Sequence, residues 1–453
     1  LGVAAAVLIA ACPGVASDTE ADVPVYTLAD CVRIGLSESG AARNARLDQE
    51  IAYTRLRQAY GLALPDLSVT ATYTRLDELQ EIDFGEESQE LGNIDNYDVT
   101  ARIEQLLYSG GQVGAALRAA RTTRAYADAA REATEALLVR DIETRFYGIL
   151  LSREVVTVQE ASVEQLRGLV DQTNKRKASG ASSEFDLLTA RVRLANEEPK
   201  LIAARNQHEL AVADFVGLLN LPAEGAFTGA LERADIDLTQ DDMTRLALAN
   251  RADLARSELR VRLGREEIVN ARSEALPDLR AYANYNGANS YQFVSFEEDW
   301  EWHWNAGLVL SWHIWDGDMT RYAVKQKEAE QEKLVTEDEE LLKLVKLQVQ
   351  QAYLALQYAR ETIAASRDNV ALAERALDIA RARHETGLAT YLEFTDANLA
   401  LRTARLAKLQ ALHDHAVAIA EVRYACGIDA DSATIECQAL GNEDSSSIVE
   451  VGE

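Results

Sequence analysis

At 453 residues the chain is too long for one ordinary core and suits two or three domains. A formal net charge of -28 and a pI near 4.7 exclude a nucleic-acid partner, which needs a basic footprint; a hollow acidic protein repels anions and concentrates cations. The six prolines stand at 13, 24, 65, 199, 222 and 277, and glycine is sparse, so very long uninterrupted helices are permitted.

Leu1 to Ala11 is an apolar stretch too short to cross a bilayer and reads, over residues 1–17, as the remainder of a secretory signal. Two exits are open. Ile9-Ala10-Ala11-Cys12 resembles a lipobox that would place a lipid on Cys12, and Val15-Ala16-Ser17 suits ordinary cleavage. Export permits disulfides, and Cys426 and Cys437 are close enough in sequence to form one, which would leave Cys31 unpaired. No later segment approaches the ~18 apolar residues of a membrane-spanning helix, so any membrane contact must be made by strands.

The chain repeats itself. Leu64-Pro65-Asp66-Leu67 recurs as Leu276-Pro277-Asp278-Leu279, 212 residues on, with Leu47, Ala59 and Tyr73 matching Leu259, Ala271 and Tyr285. Tyr108-Ser109-Gly110-Gly111 matches Trp315-Asp316-Gly317-Asp318 at an offset of 207, as do Gly180 with Gly387 and Ala190 with Ala397. The first repeat spans 18–239 and the second 240–427, followed by an acidic segment at 428–453. In each, a helix (28–62; 240–274) is ended by Leu-Pro, since proline pushes the residue before it out of the helical region. Two strands follow (66–82 and 95–108; 278–292 and 300–315), then a long helix (111–179; 317–386) and a returning one (184–218; 391–425).

Alternation carries the strands. Leu67, Val69, Ala71 and Tyr73 share a face, as do Tyr97, Val99, Ala101 and Ile103, and again Leu279, Ala281, Ala283 and Tyr285. In the fourth, Trp302, Trp304, Ala306, Leu308, Leu310, Trp312 and Ile314 oppose His303, Asn305, Gly307, Ser311 and His313. From Trp302 to Trp312, steps of ~3.3 Å tilted by ~40° cover roughly 25 Å, the height of a lipid-facing band between aromatic girdles. Four strands close no barrel and open edges do not survive in lipid, so several chains must pool their strands.

Each long helix measures about 100 Å at 1.5 Å per residue. Ile142, Ile149, Val156, Val163 and Val170 recur every seven residues, as in a coiled-coil seam. The last helix is rich in alanine, which lets neighbours pack closely. Helices of this length require an extended stack of hairpins.

This doubled order of elements, from about Thr27 to Gly427, resembles the TolC-type outer-membrane efflux family. The resemblance implies a mostly α trimer with a small transmembrane β part: a twelve-stranded barrel in the outer membrane of a Gram-negative bacterium, continued by an α-helical tunnel into the periplasm. A mixed band would come from the N-terminal region, residues 218–240 and the C-terminal segment. The implied function is a gated exit duct for tripartite efflux or type I secretion, without catalysis or cofactor. Its implied partners are two further copies of the chain, a periplasmic adaptor meeting the helix tips at Gly180 and Gly387, and an inner-membrane pump of the RND, ABC or MFS class.

The family's tip pattern runs here from His384 to Ala397. Glu393 and Asp396 match the carboxylates that ring the closed aperture; their spacing of three puts them on one helical face whatever the family, and three-fold repetition would stack like charges and raise some of their pKa values. Asp186 matches a carboxylate that the prototype bonds to a tyrosine, and His384 stands at the tyrosine's position, so an Asp186–His384 latch is the local substitute. The prototype's latch arginine is Ala389 here.

No histidine has a Cys/His or His-Glu-x-x-His setting and no phosphate-binding glycine loop occurs, which argues against a metal centre and nucleotide hydrolysis. The rival reading is an exported coiled-coil scaffold or adhesin without a pore. It leaves the four alternating strands and the tryptophans unexplained.

Overall fold

A computed structural model describes residues 24–78, 80–83, 88–91, 93–180, 182–221, 225–231, 236–289, 300–386 and 388–428. The signal segment with Cys12, the tip residue Gly387, and the C-terminal segment from residue 429 on, with Cys437, lie outside them. The elements in order are β1 (Val25–Tyr26), α1 (Leu28–Glu38), α2 (Gly40–Gly61), β2 (Asp66–Arg75), β3 (Gln80–Asp83), β4 (Ser88–Leu91), β5 (Asp95–Ser109), α3 (Gln112–Ala178) and α4 (Glu184–Leu219). Then come β6 (Ala226–Phe227), α5 (Gln240–Asn250), α6 (Ala252–Ser273), β7 (Asp278–Ala288), β8 (Glu301–Ser311), α7 (Met319–Glu385) and α8 (Tyr391–Cys426).

Lengths match across the repeat. Both α3 and α7 have 67 residues, and both α4 and α8 have 36. The shorter pair also agree, at 11 residues for α1 and α5 and 22 for α2 and α6. Both turns into the long helices use left-handed backbone at matched positions: Gly110 and Gly111 at φ 60° and 90°, Gly317 and Asp318 at 71° and 67°. Gly110 has no room for a side chain, because a Cβ there would lie 2.7 Å from Leu276 Cβ.

Each arriving helix is broken in two where the sequence predicts one. The breaks fall at repeat-equivalent residues, Ser39 and Arg251, by different means. Ser39 is an N-cap whose side chain accepts from Ala42 N. Arg251 leaves the helical region (φ -69°, ψ 117°) with its guanidinium buried. It bonds Asp253 at 2.6 Å and Gln348 at 2.7 Å and lies 5.2 Å over the Tyr424 ring.

The compact units do not follow the repeats. One takes residues up to 34, 142–232 and 366–413; the other takes 35–141, 233–365 and 414 onward, so both repeats contribute to each. In the first, Phe227 packs edge to face with both Phe146 and Phe215, and β1 pairs in parallel with β6. The seam residues Ile142, Ile149 and Val163 are buried. Beside them Leu169, Val370, Ala373, Leu377, Phe394, Leu401 and Ala404 form an apolar cluster. In the second unit the core joins Met243 and Ala247 of α5 to Val345, Val349 and Leu356 of α7 and Ile419 and Val422 of α8. Cys426 is a buried free thiol there, and its expected partner Cys437 lies outside the described residues.

The second unit also carries one antiparallel sheet in the order β2-β5-β7-β8. Its first strand is shorter than expected, and β3 and β4 form a separate hairpin. The β2–β5 ladder (Leu67↔Ile103) recurs as the β7–β8 ladder (Leu279↔Leu310) with the offsets read from the sequence. A bulge between Leu106 and Tyr108 restores the phase of β5 against β7.

Candidate functional site

Cross-strand partners share a face, and registers align the apolar residues into rows. One row is Val69, Ala101, Tyr285 and Trp304; the next is Ala71, Val99, Gly287 and Trp302. Trp302 stacks on Tyr285 at 5.2 Å and roofs Gly287, where any Cβ would meet its ring. Tyr73 and Tyr97 add a second ring pair to this end of the sheet. Trp312 lies just past β8 at the opposite end and donates to Ala275 O. Leu67, Val69, Trp304, Leu308 and Leu310 are each exposed by 67% or more, an apolar surface with no place in a water-soluble monomer.

The reverse face is polar. Thr100 donates to Asn286, and Asn284 to Asn305. Arg102 and Arg280 both hold Glu104, at 2.6 and 3.2 Å, and Arg280 also bonds Asp278. One face for lipid and one for water is the pattern of a membrane barrel wall. The outer edges of β2 and β8 have no partner strand among the described residues. None of the described helices is long and apolar enough to cross a membrane.

The two helix turns lie in the first unit. At the first, Gly180 (φ 77°) ends α3 and Ser183 caps α4. Ser183 Oγ accepts from Asp186 N at 3.1 Å, while the Asp186 carboxylate accepts from Ser183 N and Ser182 Oγ at 3.0 Å each. Those bonds, with Arg176 nearby, hold the Asp186 carboxyl below the usual carboxylate range. At the second turn Thr390 plays the same part for α8. Its hydroxyl accepts from Glu393 N at 3.3 Å, and Glu393 Oε1 accepts from Thr390 N at 3.4 Å. Arg383 approaches Glu393 to 3.9 Å. Asp396, one turn on, is exposed and makes no bond within the described chain.

Asp186 and His384, the two residues of the expected latch, have different surroundings. Asp186 is committed to its own helix terminus, whereas His384 stacks on Phe394 with centroids 5.5 Å apart and stands 3.4 Å from Arg176. Arg176 thus stands near both members of the predicted pair. Ala389 stands at the position of the family's latch arginine, while Arg176 and its repeat equivalent Arg383 are cations at the two turns. Sequence reasoning missed both, although the 207-residue offset that aligns Gly180 with Gly387 also aligns them. Their place in the last turns of α3 and α7 suits the negative helix ends.

Above the turns, α3, α4 and α8 line a cleft of about 450 Å³. Glu197 of α4 is 4% exposed there, with one oxygen on Arg402 of α8 and the other 3.1 Å from Lys200. Arg402 also donates to Ser162 of α3 at 3.2 Å. Among the described residues no three His, Cys, Asp or Glu side chains form a metal-ligand cluster.

A sheet with one apolar and one polar face, in a chain that also has two 67-residue helices, defines a protein that meets lipid through strands. The chain belongs to the outer membrane efflux protein family, whose sequence profile matches residues 36–221 and 243–427, one stretch in each repeat. It is similar to the alkaline protease secretion protein AprF of Pseudomonas aeruginosa, 24% identical over 89% of this chain and 82% of AprF. Outer membrane protein TolC of Escherichia coli is 22% identical over 85% of this chain and 79% of TolC. In fold it resembles the outer membrane protein VceC of Vibrio cholerae, with a TM-score of 0.76 over 88% of this chain and 96% of VceC, at 19% identity. The chain is accordingly an outer-membrane duct of the efflux and secretion type, extending into the periplasm. Members of this family work with periplasmic adaptors and inner-membrane pumps.

Proposed function

We propose that three copies of the chain close one barrel and one helical tunnel, forming a passive exit duct gated at its periplasmic end by rings of Glu393 and Asp396. The observation that carries the reading is the sheet itself: an apolar face, a polar face and two edges without a partner strand among the described residues suit a wall segment completed by further copies. Trp302 and Trp304 on one rim and Trp312 on the other are then its aromatic girdles. The turns at Gly180 and Gly387 meet the adaptor, and an RND, ABC or MFS pump supplies cargo and energy. Similarity to AprF supports type I secretion alongside efflux.

The test is reconstitution of detergent-extracted protein in planar bilayers. The reading expects a heat-modifiable trimer with discrete, cation-selective conductance, and reduced cation preference in E393Q and D396N. A species that neither migrates as a trimer nor conducts would restore the scaffold alternative.

A further inference from the structure

Glu197 and Arg402 form a buried ion pair between α4 and α8, and the repeat contains no second copy of it. At the offset of 207, Glu197 corresponds to Ala404 and Arg402 to Ala195, so the equivalent contact in the other half has no charges. Ala404 lies instead in the apolar cluster with Phe394 and Leu401. Burying a carboxylate is costly unless it is paired, and Glu197 has Arg402 as the ion-pair partner of Oε1 and a hydrogen bond from Lys200 at Oε2. The surroundings are not close-packed, since Ser162, Asn196, Glu197 and Arg402 line the cleft, and contact across it is made by polar reach rather than apolar packing.

The pair also sits on the weakest turn of α4. Pro199, inside that helix, has no N–H to give the carbonyl of Ala195, one i to i−4 bond earlier. The corresponding residue of α8 is Leu406, so α8 has no such defect. The deformable turn of one returning helix is therefore fastened to the regular shaft of the other. Through Ser162 the same arginine also fastens α3.

We infer that Arg402, by holding Glu197 and Ser162, is a brace that keeps α8 against α3 and α4 in the closed duct and must let go for the helices to separate. This rests on the duct reading above and adds a control point well inside the helices, roughly 20 Å along α4 from its cap at 1.5 Å per residue. Separating the pair while it stays dry leaves two uncompensated buried charges, so water must enter the cleft as the helices part.

The experiment compares wild type, E197A, R402A and the charge-swapped E197R/R402E in full-length protein reconstituted in bilayers, alongside thermal dissociation of each trimer. The brace predicts that resting conductance rises on the order of tenfold in each single variant and falls back toward wild type in the swap. R402K, which keeps the charge but not the guanidinium whose Nη1 meets both Glu197 and Ser162, should leak to an intermediate degree and serves if the alanine variants fail to fold. Resting conductance equal to wild type in the singles and in R402K, with only lowered dissociation temperatures, would overturn the brace and leave a purely structural pair. Wild-type protein that forms no channel would instead count against the duct itself.

Discussion

Asp186 and Glu393 hold the same post 207 residues apart: each is the third residue of its helix, and each returns a carboxylate to the Ser183 or Thr390 that caps it. The carboxylate singled out for the latch and one of the two singled out for the aperture thus also build the corners from which the returning helices start. Charge and cap are separable by substitution, because glutamine at the third position still reaches back to the cap while alanine does not.

For Glu393, E393Q should lower cation selectivity with little change in the α8 terminus. E393A and T390A should both fray it, by about 1 kcal/mol, which is about fivefold in hydrogen-exchange protection of the first-turn amides. Equal fraying in E393Q and E393A would show that the reciprocal bond contributes nothing.

The Asp186 carboxyl is held down by Ser183, Ser182 and Arg176, so its stabilisation of the turn is present at neutral pH and lost as pH falls through its depressed folded-state value. Because the group is almost wholly in solvent, the effect is small and local. Amide protection at the start of α4, corrected for intrinsic exchange, should fall below the ordinary carboxylate range in wild type and show no such step in D186N. Parallel curves for the two proteins would remove the role.

Gly110 and Gly180 both have positive φ but differ in surroundings. An alanine at Gly180 meets nothing within 4 Å, so G180A should cost only the left-handed backbone term of about 1–2 kcal/mol. At Gly110 the new Cβ meets Leu276 Cβ at 2.7 Å and Ser273 O at 3.0 Å, and G110A should cost a further 1–3 kcal/mol, roughly. Thermal dissociation of the two variants gives the order directly; G180A as the worse variant would contradict it.

Cys31 and Cys426 are buried, which pushes their thiols up to about 11 and about 12. A maleimide at pH 8 should label neither peptide in the folded protein and both in denaturant without reductant. Labelling of the Cys426 peptide only after reduction would place it in a bridge.

The large features were legible because they depend on local rules. Leu-Pro ends α2 and α6, Gly-Gly and Gly-Asp turn the chain into α3 and α7, and alternation gives each strand its faces. The helix break at Arg251 was not legible, since Asn250-Arg251-Ala252 contains no breaker and the bend is held by Asp253, Gln348 and Tyr424. At the turns, the resemblance to the family's tip pattern located Asp186, His384, Glu393 and Asp396, but the partners of Asp186 and His384 were set by packing. Arg176 stands beside His384 only because α3 and α7 end in the same unit. The Glu197–Arg402 pair lies 205 residues apart in the chain, with no periodicity to announce it.

The sheet has one more consequence. Since β7 is the image of β2 and β8 the image of β5, the β5–β7 ladder inside the chain would be the template for a seam between copies in the proposed trimer. Arg102 facing Asn284 translates into Val309 facing Thr72 of the next copy, and Ile103 facing Ala283 into Leu310 facing Ala71. The duct would then be walled by six near-equivalent hairpins in which covalent joins and subunit joins alternate. Cysteines at Val309 and Thr72 should link neighbouring chains, whereas a pair shifted by one residue, on opposite faces, should not.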